Sequence, residues 1–349
     1  MRSESPVSSG SPPARSRFPA FAWGVLAYSL LVVVWGYFLR ISNSGDGCGT
    51  DWPLCNGAVV PASAEFPTWV ELTHRASSGG VLVLTVAMAV WAFSIYPRHH
   101  AVRWAALASV LFTVTESLFG AVLVVFGWVA GDMSVGRVLI RPVHVVNTFT
   151  LMAALGLTAW WASRGVERLP PLAQPAAGTV VPAVVAVLAL ASVGSWTGLA
   201  GTAFPVETVR EGLGQYLSPD HLLVYLRTVH PIVALVAVVL LARVILDAIR
   251  GHGRVDGPDA ASGSASPNPD RTTRGLAVGV AGLAALQLVV GPLTIALLHP
   301  TTLRLVHLLL ADLLWLGLVF LASAALEGST SPSSGRRRPR AGAPPALQS

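Results

Sequence analysis

Four histidines lie inside long apolar stretches of the sequence, where a polar side chain costs free energy and is therefore a candidate for function. Three of them are the last residue of the same motif, R-x-V-H, in which an arginine stands three positions before the histidine. In an α-helix this spacing places both side chains on one face, about one turn apart. The histidines are His74, His144, His230 and His307, and the arginines of the pattern are Arg141, Arg227 and Arg304.

The first histidine departs from this pattern. Glu71 stands where the arginine would be, and Arg75 follows His74 instead. A carboxylate here can act as an acid or base, or can stabilise developing charge. The plainer alternative is a glutamate in water at the end of a helix, or one that interacts with the helix dipole. We expect the first half of the chain to carry the chemistry, with Glu71 as its candidate catalytic residue.

Pairs of imidazoles at one depth suit iron, zinc or copper. Two histidines per half, with no acidic or thiol ligand beside them, fit a bis-histidine haem better than a tetrahedral zinc site. An arginine one turn from a ligand can pair with a haem propionate, whereas zinc needs no such partner. A histidine that only hydrogen-bonds within the packing is the alternative, and four repeats in register argue against it.

Eight apolar runs of about 20 residues surround these histidines, which is the length needed to cross a bilayer. Charged residues make up only 11% of the chain, against about 25% in soluble domains. The first run lacks a small-residue cleavage site and is long enough to span, so it does not resemble a signal peptide. The runs are 21–41, 70–94, 104–127, 140–162, 180–198, 224–247, 276–298 and 303–325.

The basic residues indicate how the chain is oriented. All 23 are arginines, and 16 of them lie near the N-terminus, in loops after even-numbered runs, or in the cluster Arg336–Arg340. Cationic loops stay in the cytoplasm, so both termini are expected there, in a multi-pass protein of the cell membrane. The pI of about 10.1 therefore reflects topology, and the partner is the lipid bilayer rather than nucleic acid. The arginines expected outside are Arg40, Arg75, Arg137, Arg141, Arg210, Arg227 and Arg304.

The histidine pattern repeats along the chain. His74 and His230 are 156 residues apart, and His144 and His307 are 163 apart. Two halves of four spans each explain these intervals, so the predicted fold is an all-α integral membrane protein of eight helices in two pseudo-symmetric four-helix bundles. Because each half has four spans, the halves run parallel, which excludes a transporter built from inverted repeats.

This division sets the expected domain boundaries. The N-terminal half, which is expected to carry the chemistry, is 21–165, and the C-terminal half, which is expected to hold a stable haem, is 176–326. Gly, Ser, Pro and charged residues dominate the remaining segments, which are expected to be disordered on the cytoplasmic side. They are the tails 1–20 and 327–349 and the loop 251–273.

Both cysteines of the chain, Cys48 and Cys55, lie in the loop after the first run. On the expected outer side a disulfide is the default, and it would close a short loop over the N-terminal half. A metal site or a transient redox pair is the alternative, and the C-x6-C spacing does not decide between them.

The sequence around these residues resembles the haem A synthase family. The resemblance rests on G-C-G-T-D-W-P-L-C-N-G at 47–57, E-L-T-H-R at 71–75, R-I-S-N-S-G at 40–45 and the later histidines, and it covers about 20–326. It implies eight helices in two four-helix bundles. It also implies an oxidoreductase that turns the position-8 methyl of haem O into a formyl group by successive hydroxylations, for cytochrome oxidase assembly.

The resemblance also implies residue roles in the first half. Haem O, the substrate, would lie between His74 and His144, with Arg75 and Arg141 binding it and Glu71 important for turnover. The cysteines would form a redox-active or stabilising disulfide.

In the second half the resemblance implies a resident cofactor, haem b. His230 and His307 would bind its iron, and Arg227 and Arg304 would bind its propionates. A haem O synthase is the expected upstream partner, and a homo-oligomer is a further possibility.

Three features depart from the family pattern or stand outside it. Some family members carry a second cysteine pair in the loop after the fifth run, but loop 197–222 has none. Glu116 stands where a neutral polar residue is expected, and Asp312 is a second intramembrane carboxylate; neither is assigned a catalytic role.

The alternative function is a non-enzymatic di-haem electron carrier, which explains four histidines equally well but not Glu71 or the cysteine string.

Overall fold

A computed structural model of the chain describes residues 13–62, 64–250 and 271–328. Within these ranges the regular structure is helical, apart from one isolated bridge between Cys55 and Ala58. Eight of the described helices are long and apolar enough to cross a membrane, which confirms the prediction of an all-helical, multi-pass membrane protein. The helices are α1 (Pro13–Ile41), α2 (Phe66–Ile95), α3 (Ala101–Val125), α4 (Val135–Arg164), α5 (Ala177–Ala203), α6 (Val209–Leu217), α7 (Leu222–Arg250), α8 (Arg271–Ala296) and α9 (Thr301–Gly328).

The helices are longer than the apolar runs that predicted them. Helix α1 begins at Pro13, α8 begins at Arg271 and α9 ends at Gly328. The inner ends of the expected tails and loop are therefore helical, because backbone hydrogen bonding continues past the hydrocarbon region into polar surroundings. The remainder of the segments 1–20, 251–273 and 327–349 lies outside the described residues.

Helix α6 was not predicted, since it is too short and too polar to register as an apolar run. It lies between α5 and α7 and contacts α7. Its start carries a sequence signal: the Thr208 hydroxyl accepts a hydrogen bond from the Glu211 backbone N–H at 3.2 Å, and T-x-x-E is a known helix-start pattern. That signal would have located the helix.

The spanning helices form two adjoining rings. In the first ring, α1 to α4, each helix contacts the next and α1 contacts α4; in the second, α5, α7, α8 and α9 do the same. Helix α4 contacts α5 and α9, and α1 contacts α9, so the rings share a long interface. One cluster of buried apolar side chains runs through both. These contacts fit the two expected four-helix halves, while their pseudo-twofold relation stays a prediction.

Polar side chains buried in the ring interface are hydrogen-bonded across it. An indole or phenol in an apolar interior needs a partner for its N–H or O–H. All four bonds join a helix of the first ring to a helix of the second, so they fix the two rings against each other. The pairs are Trp315 to the Phe149 carbonyl, Trp161 to the Ser323 hydroxyl, Trp196 to the Val138 carbonyl and Tyr37 to the Asp312 carboxyl.

The four histidines lie at nearly one depth. Each follows the first residue of its helix by six to nine residues, which at 1.5 Å per residue is a spread of about 4.5 Å. All four helices start at the end of the rings that carries the Cys48–Cys55 loop, named the disulfide end below. The intervals run from Phe66 to His74, Val135 to His144, Leu222 to His230 and Thr301 to His307.

The orientation predicted from the arginines can be tested with reporter fusions. Five spanning helices separate residue 60 from residue 260, so a reporter at 60 should lie outside the cell and one at 260 inside. We expect alkaline phosphatase to be active only at 60 and green fluorescent protein to be fluorescent only at 260. Both positions reporting the same side would contradict an odd number of crossings between them.

Candidate functional site

A cavity of about 510 Å³ opens within the first ring, a volume typical of small-molecule sites. His74 on α2 and His144 on α4 both line it, so two imidazoles from different helices face one space. Most of the remaining lining side chains are apolar, and Glu71 lines the wall one helical turn from His74 toward the disulfide end.

The imidazole of His74 packs directly against the backbone of α1. A Cβ atom built on Gly36 would lie 2.8 Å from His74 Cε1, which is closer than real carbon atoms approach. Any larger residue at this position would push the ring aside. Gly36 therefore sets the place of the His74 imidazole in the cavity wall.

The same relation recurs in the second ring. A Cβ atom on Gly194 of α5 would lie 3.2 Å from His230 Cε1, and one on Gly291 of α8 would lie 3.4 Å from His307 Cε1. Three of the four histidines thus lie against a glycine of the helix that precedes their own among the spanning helices. Sequence reasoning missed these glycines, because nothing in their spacing marks them before the helix pairs are known.

His144 has a different neighbour. Its Nε2 lies 3.0 Å from Oε1 of Glu116, which comes from α3. The Thr148 hydroxyl donates to Oε1 of Glu116 at 2.6 Å, and the Asn147 amide donates to Oε2 at 2.7 Å. Glu116, which the sequence left without a role, is a member of the cavity wall and a direct partner of a predicted ligand.

Glu71 is buried and ties the disulfide loop to α2. Its Oε2 accepts the backbone N–H of Cys48 at 2.8 Å, and its Oε1 accepts the guanidinium of Arg75 at 2.6 Å. The same guanidinium donates to the backbone carbonyls of Asp51 and Leu54 in the loop. Arg75, expected to bind the substrate haem, is engaged with Glu71 and the loop, and its part in haem binding stays a prediction.

The loop itself is closed by a disulfide. Cys48 and Cys55 are bonded and both are buried, which confirms the expected pairing. The loop also lies tightly on the start of α2: Gly47 lies so close to Pro67 that a Cβ atom would meet its backbone at 2.3 Å. The Thr68 hydroxyl donates to the Gly47 carbonyl at 2.8 Å. The loop is therefore a fixed cover beside Glu71.

Three further arginines line the cavity near the disulfide end. Arg137 donates to the carbonyls of Ala130 and Asp132 and so braces the α3–α4 connection. Arg40 and Arg141 have no acidic partner within the described ranges, and Arg141 lies within electrostatic range of Arg40. Two uncompensated cations at one end of an apolar cavity fit an amphiphilic ligand with anionic groups at one edge. Arg40 was not among the residues that the sequence assigned to the site.

In the second ring, His230 and His307 lie close enough to influence each other electrostatically. Arg227 is buried and donates to the Gln215 side chain of α6 at 3.0 Å, so it anchors α6 over this ring. Burial lowers the pKa of His299 in the α8–α9 connection, and the charges of Arg227 and Arg304 lower it further. An uncharged imidazole is thereby favoured beside these two arginines.

Both rings suit haem by their own residues. Each offers two imidazoles at one depth from different helices, with arginines toward the disulfide end. The first ring adds an apolar cavity of suitable volume, and the second adds glycines behind both imidazoles. Fold and site together define a multi-pass helical membrane protein with paired intramembrane histidines.

Comparison with known proteins identifies the family. Residues 19–319 match the COX15-CtaA family, described as cytochrome oxidase assembly protein, and the chain belongs to this family. The protoheme IX farnesyltransferase of Thermus thermophilus is 41% identical over 320 residues, which cover 90% of this chain and 49% of that protein.

Two heme A synthases are similar over a shorter part. Those of an Exiguobacterium species and of Bacillus cereus are each 36% identical, over 97 and 98 residues, covering 28% of this chain and 32% of the relative. The chain spans about half the length of the Thermus relative that it matches, and about a third of each heme A synthase is matched.

The Gly36–His74 contact generates a prediction. Replacing Gly36 with Val should displace the imidazole and weaken haem binding in the first ring by about tenfold or more, since even a 1.4 kcal/mol loss has that effect. Titration of the purified, haem-depleted protein with ferric haem, followed by absorbance, would measure it. Gly24→Val is the matched control, because a Cβ atom at Gly24 of the same helix meets nothing within 4 Å. Equal affinities in the two variants would show that the contact does not position the ligand.

Proposed function

We propose that this protein is a haem A synthase, an oxidoreductase that converts the position-8 methyl of haem O into a formyl group by successive hydroxylations. The cavity of the first ring is the main support, because it combines two imidazoles, a buried carboxylate and two uncompensated arginines. Membership of the cytochrome oxidase assembly family and the heme A synthase relatives support the same reaction.

The first ring would bind the substrate. His74 and His144 would ligate the iron of haem O, and the apolar walls would enclose its macrocycle. Arg40 and Arg141 are better placed than Arg75 to pair with the propionates, since neither has an acidic partner within the described ranges. Anchoring one edge of the substrate to two arginines would orient the opposite edge in the cavity.

Glu71 would stabilise charge that develops on the substrate. Its carboxylate is held in place by the Cys48 backbone N–H and by Arg75, so it acts from a fixed position rather than as a mobile proton carrier. The disulfide loop contributes by holding this position and by covering the site. We propose that loss of the Cys48–Cys55 bond acts on turnover through Glu71 and leaves the rings folded.

The second ring would bind haem b as the resident cofactor. His230 and His307 would ligate it, with Arg304 beside His307 and the α6 anchor Arg227 above. When bound, haem b would supply one-electron redox chemistry. The residues around it would position it.

The proposed setting is the cell membrane, with both termini in the cytoplasm and the disulfide end outside. The upstream partner would be an enzyme that attaches the farnesyl group to haem. The Thermus relative is named for that transfer, and about half of the length of that relative matches this chain. This match supports a functional link between the two activities. The product would serve cytochrome oxidase assembly.

Co-expression with a haem O synthase, in a host that lacks haem A, tests the function. Chromatography of the extracted haems should show haem A with the natural sequence. Glu71→Gln should keep haem b but lower haem A by roughly 10²-fold, the size of effect typical for loss of one positioned electrostatic group. Glu65→Gln is the matched control, since Glu65 is exposed just before the same helix and should leave haem A unchanged.

Other results would point to other functions. Haem b alone, with haem O present but neither bound nor converted, would indicate the di-haem electron carrier. Formation of haem O in a host without a haem O synthase would indicate the farnesyl transfer named for the Thermus relative. Either result would overturn the proposal.

A further inference from the structure

The four histidine environments are unequal in one respect. His74, His230 and His307 each lie against a glycine of a neighbouring helix, and none of the three forms an ion pair with a carboxylate among the described residues. His144 lies against the carboxylate of Glu116 instead. The difference falls in the ring that would bind a substrate, not in the ring that would keep a cofactor.

The contact involves Nε2 of His144, which is 3.0 Å from Glu116 Oε1, and both side chains line the cavity. Nδ1 of His144 is buried and has no hydrogen-bond partner among the described residues. We therefore take Nε2 as the nitrogen that a haem iron would bind, so the iron and Glu116 would compete for the same atom.

Glu116 does not depend on His144 for its own hydrogen bonds. Thr148 donates to one carboxylate oxygen at 2.6 Å and Asn147 to the other at 2.7 Å. A third side chain fixes Asn147, whose amide oxygen accepts the Thr115 hydroxyl at 2.7 Å. The carboxylate therefore keeps a partner on each oxygen whether His144 is present or has turned away, so the imidazole can leave it at modest cost.

We propose that Glu116 is a built-in competitor for His144, which makes His144 the exchangeable ligand and lets the first ring release haem faster than the second. The proposal rests on the proposed function, in which the first ring must release product and take up substrate at every turnover. In the second ring no carboxylate of the described residues lies against His230 or His307 as Glu116 lies against His144, so this ring would hold its haem.

The exchange balances without a net proton. With iron on Nε2, the neutral imidazole of His144 would carry its proton on Nδ1. Without iron, the proton would be on Nε2, which would donate to Glu116. One coordination bond would be lost and one hydrogen bond formed, with no electron transferred.

Haem transfer to apomyoglobin tests the proposal on the full chain. The purified protein is loaded with ferric haem b in both rings, and the loss of haem to excess apomyoglobin is followed by absorbance. Two phases are expected, and His74→Ala should remove the fast one, which assigns it to the first ring. Glu116→Leu should slow the fast phase by about tenfold, as expected for loss of one charge-assisted hydrogen bond, and leave the slow phase unchanged.

Two further variants make the test specific. Glu116→Gln keeps the shape and the bonds to its neighbours but removes the charge, so the fast phase should slow by a smaller factor than in the Leu variant. Glu327→Gln removes a carboxylate of α9 that accepts the Ser323 hydroxyl, far from the cavity, and should change neither phase. The slow phase reports that the second ring is folded in every variant.

The opposite outcomes are equally clear. A fast phase that is unchanged in both Glu116 variants would show that Glu116 does not compete for His144 and would overturn the proposal. A faster fast phase, or no haem in the first ring while the slow phase persists, would show instead that Glu116 positions His144 for binding. A single slow phase in the natural protein would also overturn the proposal. Because ferric haem b is not the substrate, these results do not depend on haem A formation, so failure of the proposed function and failure of this inference are distinguishable.

Discussion

A polar group in the hydrocarbon core of a membrane needs a partner, and this constraint organises the whole structure. Tryptophan and tyrosine side chains meet it by hydrogen bonds across the ring interface, such as Trp315 to the Phe149 carbonyl at 2.6 Å. Glu71 meets it through Cys48 and Arg75. Arg40 and Arg141 are the exception, because neither has an acidic partner among the described residues. Their partner is best supplied by the ligand, and for this reason the cavity is interpreted as a site for an anionic amphiphile.

The same constraint explains why the two rings differ. The first ring pairs its histidines with one glycine and one carboxylate, and a disulfide-closed loop covers it through Glu71. The second ring pairs both histidines with glycines, and α6 is anchored over it by Arg227. We infer from this difference that the first ring would exchange a ligand and the second would keep one. Two rings with unequal sites fit an enzyme better than an electron carrier, because both haem sites of an electron carrier would have the same task of holding a resident haem.

Much of this arrangement could be predicted from the sequence. Apolar length located all eight spans, and the R-x-V-H pattern marked three of the four histidines; the place of each histidine near the start of its run indicated their common depth. The pairing of the helices, and the contacts that long side chains make with residues distant in the sequence, were harder to predict. Arg75 was expected to bind the substrate haem, and nothing in the sequence indicated that its guanidinium also reaches loop carbonyls more than 20 residues earlier in the chain. Distance along a sequence does not reveal such contacts.

The contact between Glu116 and His144 could have been predicted from the sequence. Glu116 lies nine residues before the end of α3 and His144 lies nine residues after the start of α4. Helices joined by a short connection run antiparallel, so these two positions share one depth. The glycines behind the other histidines offered no equivalent signal, because their role emerges only when the neighbouring helix is in place.

The central claim is that each ring holds one haem through its own pair of histidines. Haem content and low-spin electron paramagnetic resonance signals of the purified protein test it directly, for the natural sequence and for two double variants. The account predicts that His74→Ala with His144→Ala removes one bis-histidine signal, and that His230→Ala with His307→Ala removes the other, each leaving the remaining signal intact. Loss of both signals in either double variant, or loss of neither, would contradict it.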